Sequence, residues 1–326
     1  MMIDIHVCPS TLEEGFESFS PRAKKYFLGG KMVSYMLPYV SLSSGEGLAE
    51  NKGHISLSGA QEKYSAVIDD GVFRLTEKGE RGTYILKPKL TGFDNREYSP
   101  ANENLTMQIA AQVYGIQTAE NAVCFTKNGE QVYVTKRYDV KNDGSRLQQE
   151  DLASLAGITK ETHGENYKYN ALDYVGLAEI IKKYIPAWRI ELVRYFDLIL
   201  FNFVFANGDA HIKNFSVLQT SRGDYRLAPA YDLINTLLHI PDGHIFALDK
   251  GLYPGWNRES GVSGSDFQVF GEIIGLEKTI VRSEIDRFCA DYSETERLID
   301  NSFLSDKLKE DYRKIFHTRI NSYLKC

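Results

Sequence analysis

The sequence predicts an α+β fold in two lobes, a β-rich N-terminal lobe over 1–138 and a mainly helical C-terminal lobe over 139–326. Three observations carry that expectation. Alternating, turn-punctuated segments run from His54 to Tyr138, helical periodicity dominates after it, and one hairpin at 215–229 interrupts the helices. Composition suits such a chain: 43% of 326 residues are hydrophobic and 25% charged, enough apolar material for a core without staples. The net charge of −6 argues against a nucleic-acid groove as the main surface. Cys8, Cys124, Cys289 and Cys326 form no CxxC pair and show no ligand spacing. The opening MMIDIHVCPSTLEEGF is too polar for a signal peptide, and no apolar run approaches the ~20 residues of a membrane helix. A reduced, cytoplasmic protein is expected.

Residues 1–50 read as mixed, with loop at Gly29-Gly30 and in the Ser/Gly-rich stretch 41–47. From His54, HISLSGAQEKYSAVI alternates through a glycine-containing turn, Asp69-Asp70-Gly71 reverses the chain, and VFRL stays extended. TYILKPKL (83–90) is a short strand ended by Pro88. Leu105, Ile109 and Val113 make an i, i+4, i+8 stripe, which predicts a helix over 102–114 closed by Gly115. Asn128-Gly129, between NAVCFTK and QVYVTKRYD, predicts a hairpin. A hinge is expected near 136–141. Helices are then expected around 149–157, 172–184, 190–206, 266–273, 279–301 and 305–324, the later ones completing the helical lobe.

The chemistry concentrates at Asn207-Gly-Asp-Ala-His-Ile-Lys-Asn214. Phosphoryl transfer needs a cradle and a cation for the phosphates, Mg²⁺ ligands, and a carboxylate beside the attacking hydroxyl. Asp209 and Asn214 stand five positions apart after the apolar run LILFNFVFAN, the Asp-to-Asn spacing of a protein-kinase catalytic loop. Such a loop aims the carboxylate at substrate and the amide oxygen at Mg²⁺. Lys213 can neutralise the γ-phosphate, and His211 either holds the loop or touches phosphate. Asp232, after Tyr231, ends the hairpin that begins just past Asn214, so the chain returns a second metal ligand to the site. Upstream, Ser56-Leu-Ser-Gly-Ala-Gln61 sits between strands where a phosphate-covering loop belongs, although it holds one glycine only. Lys87 lies on the next strand, Glu103 opens the following helix as its partner, and Lys136-Arg137-Tyr138 occupies the hinge whose backbone reads adenine.

The ordered set SLSGAQEK (56–63), YILKP (84–88), NENLT (102–106), KRYD (136–139), RLQQED (146–151), KY (168–169), NGDAHIKNFSVL (207–218) and LAPAYDL (227–233) resembles the HipA-like serine/threonine kinases, toxins of bacterial toxin–antitoxin systems. The resemblance implies a two-lobe protein-kinase-like fold that uses ATP and Mg²⁺. It makes Asp209 the catalytic base and Asn214 and Asp232 the metal ligands. ATP would be held by the covering loop Ser58, Gly59, Ala60, Gln61, Glu62 and Lys63, by Lys87 at the phosphates and by Lys136, Arg137 and Tyr138 at adenine. His211, Ile212, Lys213 and Asn214, with Tyr231 and Asp232, would complete the phosphate region. In the family a loop serine is autophosphorylated and the kinase thereby inactivated. Ser56 matches that position, and Ser58 is a second serine two residues on, as in short HipT-type members.

Full-length members carry an extra N-terminal subdomain of roughly a hundred residues, so the chain resembles the short form. The resemblance then implies a small antitoxin similar to that subdomain and a helix-turn-helix DNA-binding partner, without direct nucleic-acid or membrane contact by this chain. It also implies a serine of an aminoacyl-tRNA synthetase as the target, tryptophanyl favoured over glutamyl. A departure is Lys136, where other members carry Glu. The alternative class is a small-molecule or lipid kinase, which uses a similar Asp…Asn loop and downstream Asp.

Overall fold

The computed structural model describes residues 3–42, 61–141, 143–257 and 261–324. In chain order its elements are α1 (Pro21–Tyr26), β1 (Tyr64–Asp69), β2 (Val72–Leu75), β3 (Tyr84–Lys87), α2 (Ser99–Gln112), β4 (Asn121–Phe125) and β5 (Gln131–Lys136). Then follow β6 (Gln149–Asp151), α3 (Leu152–Leu155), α4 (Lys160–His163), α5 (Tyr167–Asn170), α6 (Tyr174–Tyr184), α7 (Trp188–Val204), β7 (Ser216–Gln219) and β8 (Tyr225–Leu227). The chain finishes with α8 (Gly264–Ile273), α9 (Lys278–Phe288), α10 (Ser293–Asp300) and α11 (Asp306–Arg319). It divides into two units. The first comprises Met1–Val140 with Leu238–Pro241 and Ser293–Tyr312; the second comprises Lys141–Leu237, Asp242–Tyr292 and Arg313–Cys326. The expected single cut at 138/139 therefore omits two later stretches that belong with the first unit.

The first unit is built on an antiparallel sheet of order β2-β1-β3-β5-β4. Asp70 and Gly71, both at positive φ, close the β1–β2 hairpin with Asp69 opposite Val72. That twist matches the twist of the strands it joins. Its core sets Tyr84 edge-on to Phe27 and Phe73, with ring centroids 5.5 and 5.1 Å away. The Tyr84 hydroxyl meets the Phe27 carbonyl at 2.7 Å, so this buried polar tip is satisfied. Helix α2 departs from the one-sided stripe that the sequence suggested. It is buried from Ser99 through Ala110, polar residues included. Several of its polar side chains find distant partners: Asn102 Nδ2 lies 2.9 Å from His239 Nε2, Thr106 Oγ1 2.9 Å from the Tyr312 hydroxyl, and Asn104 Nδ2 2.8 Å from Asn121 Oδ1.

The second unit holds the three-stranded antiparallel sheet β6-β7-β8 and the long helix α7. Phe196 stacks on Phe270 at 5.9 Å, and Phe205 on Phe316 at 5.1 Å. Two helical expectations need correction. The first three residues of 149–157 are strand β6, which pairs with β7, and Asp151 then caps α3 by accepting from the Ser154 N–H at 2.9 Å. The span 279–301 is two helices, because the chain turns at Cys289–Tyr292 after α9.

Candidate active site

Each unit carries its own cluster of the expected residues. In the first, Lys87 ends β3, and its Nζ lies 2.6 Å from Glu103 Oε1. Both side chains are 4% exposed, and the Tyr133 ring faces the ammonium at 5.2 Å. A buried ion pair holds only when geometry and neighbouring groups offset its desolvation. Gln61 Nε2 donates to the Pro88 carbonyl at 2.7 Å, which ties the residues entering β1 to the end of the lysine strand. Glu62 accepts from the Tyr64 hydroxyl at 2.6 Å, and Lys63 is exposed. Ser56, Ser58, Gly59 and Ala60 lie outside the described residues. At the expected hinge, the N–H groups of Lys136 and Arg137 go to the carbonyls of Glu120 and Thr83, at 2.8 and 2.9 Å. The Lys136 ammonium meets the Tyr26 carbonyl at the end of α1, and Arg137 forks onto Asp139.

In the second unit α7 leads into the loop 207–214. Phe205 closes the helix and Ala206 takes a left-handed conformation, φ 52°, at the place where glycine usually ends a helix. Thr236 holds that strained turn: its N–H and its hydroxyl both donate to the Ala206 carbonyl at 2.9 Å, and the hydroxyl oxygen accepts from the Gly208 N–H at 3.0 Å. Asn207 is anchored by its N–H to the Asn202 carbonyl at 2.7 Å and by its amide to Asn202 Oδ1 at 2.9 Å. Gly208 is required by space, since a Cβ there would collide with the His244 carbonyl. The loop is thus fixed before Asp209 is reached.

Asp209 is 8% exposed. Its carbonyl accepts from the His211 N–H at 2.7 Å and from Asn214 Nδ2 at 3.0 Å, and its Oδ1 accepts from the Tyr169 hydroxyl at 3.2 Å. The Asp-to-Asn spacing therefore closes a tight loop that uses the Asn214 nitrogen as a brace, so the amide oxygen faces away from the Asp209 carbonyl. The Tyr231 hydroxyl lies 2.9 Å from the Lys213 carbonyl and 2.6 Å from Ser216 Oγ, which ties the residue before Asp232 to the end of the loop. Asp232 itself is at φ 56°. Among residues other than glycine, Asp and Asn tolerate that region best, and such conformations gather at functional sites. Among the described residues no group of three or more His, Cys, Asp or Glu could hold a metal. One amide oxygen and one carboxylate suit Mg²⁺, which takes few protein oxygens and fills its octahedron with phosphate and water.

His211 is buried with both ring nitrogens lacking a hydrogen-bond partner, and it meets the Tyr169 ring edge-on at 5.3 Å. Burial, aided by the Lys168 charge, pushes its pKa down to about 4, so the ring is neutral near pH 7. The sequence sent the Lys213 ammonium to the γ-phosphate. In the structure it pairs with Asp151 Oδ2 at 2.6 Å. Ile212 is buried in the short turn between His211 and Asn214. Tyr169, Asp151 and Thr236 were missed as site residues. The first two stood in quoted motifs without a role, and Thr236 gave no signal.

Comparison with known proteins places the chain. The family model "HipA-like C-terminal domain" matches residues 55–295. A Haemophilus influenzae protein named "Putative kinase" is 27% identical over 335 residues, covering 94% of each chain. A Sinorhizobium fredii protein named "Putative kinase Y4mE" is 32% identical over 203 residues, or 60% of this chain; the chain spans about half of that relative, 46% of its length. Among solved structures, HipA of Shewanella oneidensis, determined with HipB and operator DNA, superposes with TM-score 0.65 at 19% identity. That match covers 84% of this chain and 66% of HipA. The Helicobacter pylori proinflammatory kinase CtkA gives TM-score 0.54 at 15% identity, over 90% of this chain and 96% of CtkA. The α+β fold is the one seen in HipA and CtkA. No helix among the described residues is long and apolar enough to cross a membrane. The chain belongs to the HipA-like C-terminal domain family.

Proposed function

We propose that the protein is an ATP- and Mg²⁺-dependent serine/threonine protein kinase that acts as the toxin of a toxin–antitoxin pair. The observation that carries the reading is the braced loop in which Asn214 ties back to Asp209 while the hydroxyl of Tyr231, the residue before Asp232, bonds the Lys213 carbonyl. Asp209 takes the proton of the acceptor hydroxyl, the hydroxyl oxygen bonds to the γ-phosphorus, and ADP leaves with the electrons of the broken P–O bond. Asn214 and Asp232 would hold Mg²⁺, which when bound neutralises charge on the phosphates. Lys87, fixed by Glu103, supplies a cation for the phosphates. Family membership supports a kinase, and the complex of HipA with HipB and DNA supports a DNA-binding antitoxin partner of the helix-turn-helix kind.

The acceptor we favour is a serine of an aminoacyl-tRNA synthetase, the tryptophanyl enzyme before the glutamyl, with phosphorylation at Ser56 or Ser58 as self-inactivation. Incubation of the purified protein with labelled ATP–Mg²⁺ and cell lysate tests this. Label in a synthetase band, mapped to serine, is expected. Label confined to small metabolites would replace the reading with a small-molecule kinase.

A further inference from the structure

Lys168-Tyr169 has no part in the phosphotransfer set drawn above, yet α5 carries Tyr169 to the base. The tyrosine is 8% exposed, its hydroxyl donates to Asp209 Oδ1 at 3.2 Å, and its ring lies edge-on to His211 at 5.3 Å. The backbone around it is pinned from one segment: the Asp249 N–H donates to the Tyr169 carbonyl at 2.9 Å, and Lys250 Nζ to the Ala171 carbonyl at 2.7 Å. The aim of the hydroxyl is therefore set by the fold.

We infer that Tyr169 is a positioning residue for the base, its hydroxyl holding the Asp209 carboxylate in line with the acceptor while its ring covers His211. This rests on the reading of Asp209 as the base. An aspartate turns about two side-chain torsions, and its terminal one is broad, so an unheld carboxylate samples orientations that miss the acceptor. Small losses of alignment cost rate far more than they cost binding. The contrary arrangement is a placeholder: a hydroxyl standing where the acceptor hydroxyl should go, to be displaced by substrate.

Tyr169→Phe separates the two, because it removes one oxygen and keeps the ring. The measurement is the single-turnover phosphotransfer rate at saturating ATP–Mg²⁺, together with the ATP dissociation constant. Tyr174→Phe serves as control, since that hydroxyl also braces the loop, at the Ala210 carbonyl and 3.0 Å, without touching the carboxylate. The positioning role predicts a rate about tenfold lower in Tyr169→Phe with ATP affinity unchanged, short of the 10²–10⁴ lost with a general base itself. Tyr174→Phe should lose less than threefold by the same argument. An unchanged or faster rate in Tyr169→Phe overturns the inference, as does an equal loss in both variants. Transfer by the wild-type protein with an unaltered Tyr169→Phe sinks only the positioning role. No transfer by wild type, to itself or to any acceptor, sinks the kinase reading, and this inference with it.

Discussion

Replacing Glu103 with Gln leaves the Lys87 ammonium, 4% exposed, facing a neutral amide where it had a carboxylate oxygen at 2.6 Å. Breaking a buried pair by removing one partner costs about 3–5 kcal/mol, because the remaining charge is stranded. At roughly 2–4 °C per kcal/mol for a domain of this size, the melting temperature should fall by about 10 °C. Lys87→Met alone should cost a similar amount by removing the ammonium that faces the buried carboxylate. The double variant Lys87→Met/Glu103→Leu removes both charges and should recover to within about 1 kcal/mol of wild type. It should nonetheless transfer no phosphate. Thermal unfolding of all four proteins in one buffer, paired with a phosphotransfer assay, reads both quantities. Wild-type stability in Glu103→Gln, or a double variant no better than the singles, would refute the claim of a coupled buried pair. An active double variant would refute its phosphate role.

Other consequences are as direct. His211 has its pKa lowered to about 4 from 6.5 by burial, so between those values the unfolded chain binds more protons and stability falls as pH falls. His211→Asn should remove up to about 3 kcal/mol of that loss in denaturant titrations from pH 7 to pH 4. His239, whose pKa burial also lowers, keeps its own share of the slope. Gly208→Ala should push the loop off the His244 carbonyl and lower transfer at least tenfold with the protein still folded, checked by activity and circular dichroism together. Ser56→Ala/Ser58→Ala should abolish phosphate in the covering loop while leaving ATP affinity intact; phosphosite mapping elsewhere would count against self-inactivation there.

Local signals are legible in the sequence, and distant ones are not. Asp69-Asp70-Gly71 and Asn128-Gly129 announce their hairpins because turn chemistry is written in adjacent residues. The Asp209–Asn214 spacing survives for the same reason, since the brace between them closes within one loop. Strand β6 carries no local strand signal because its partner, β7, lies 67 positions away at the Gln149–Ser216 contact. The polar burial of α2 was invisible because its satisfying groups come from residues as distant as Tyr312. Tyr169 and Asp209 are 40 positions apart, and Asp151 and Lys213 62. No periodicity spans such separations, so the closure of the loop is legible in the sequence and much of what packs against it is not.

The most direct test of the account is the intact mass of purified protein after incubation with ATP–Mg²⁺, run beside Asp209→Asn and Asp232→Asn. Wild type should gain phosphoryl mass, and lose that gain when magnesium is chelated. Both variants should stay at their unmodified mass while remaining folded. Equal phosphorylation of wild type and either variant would contradict the assignment of Asp209 as base or Asp232 as metal ligand.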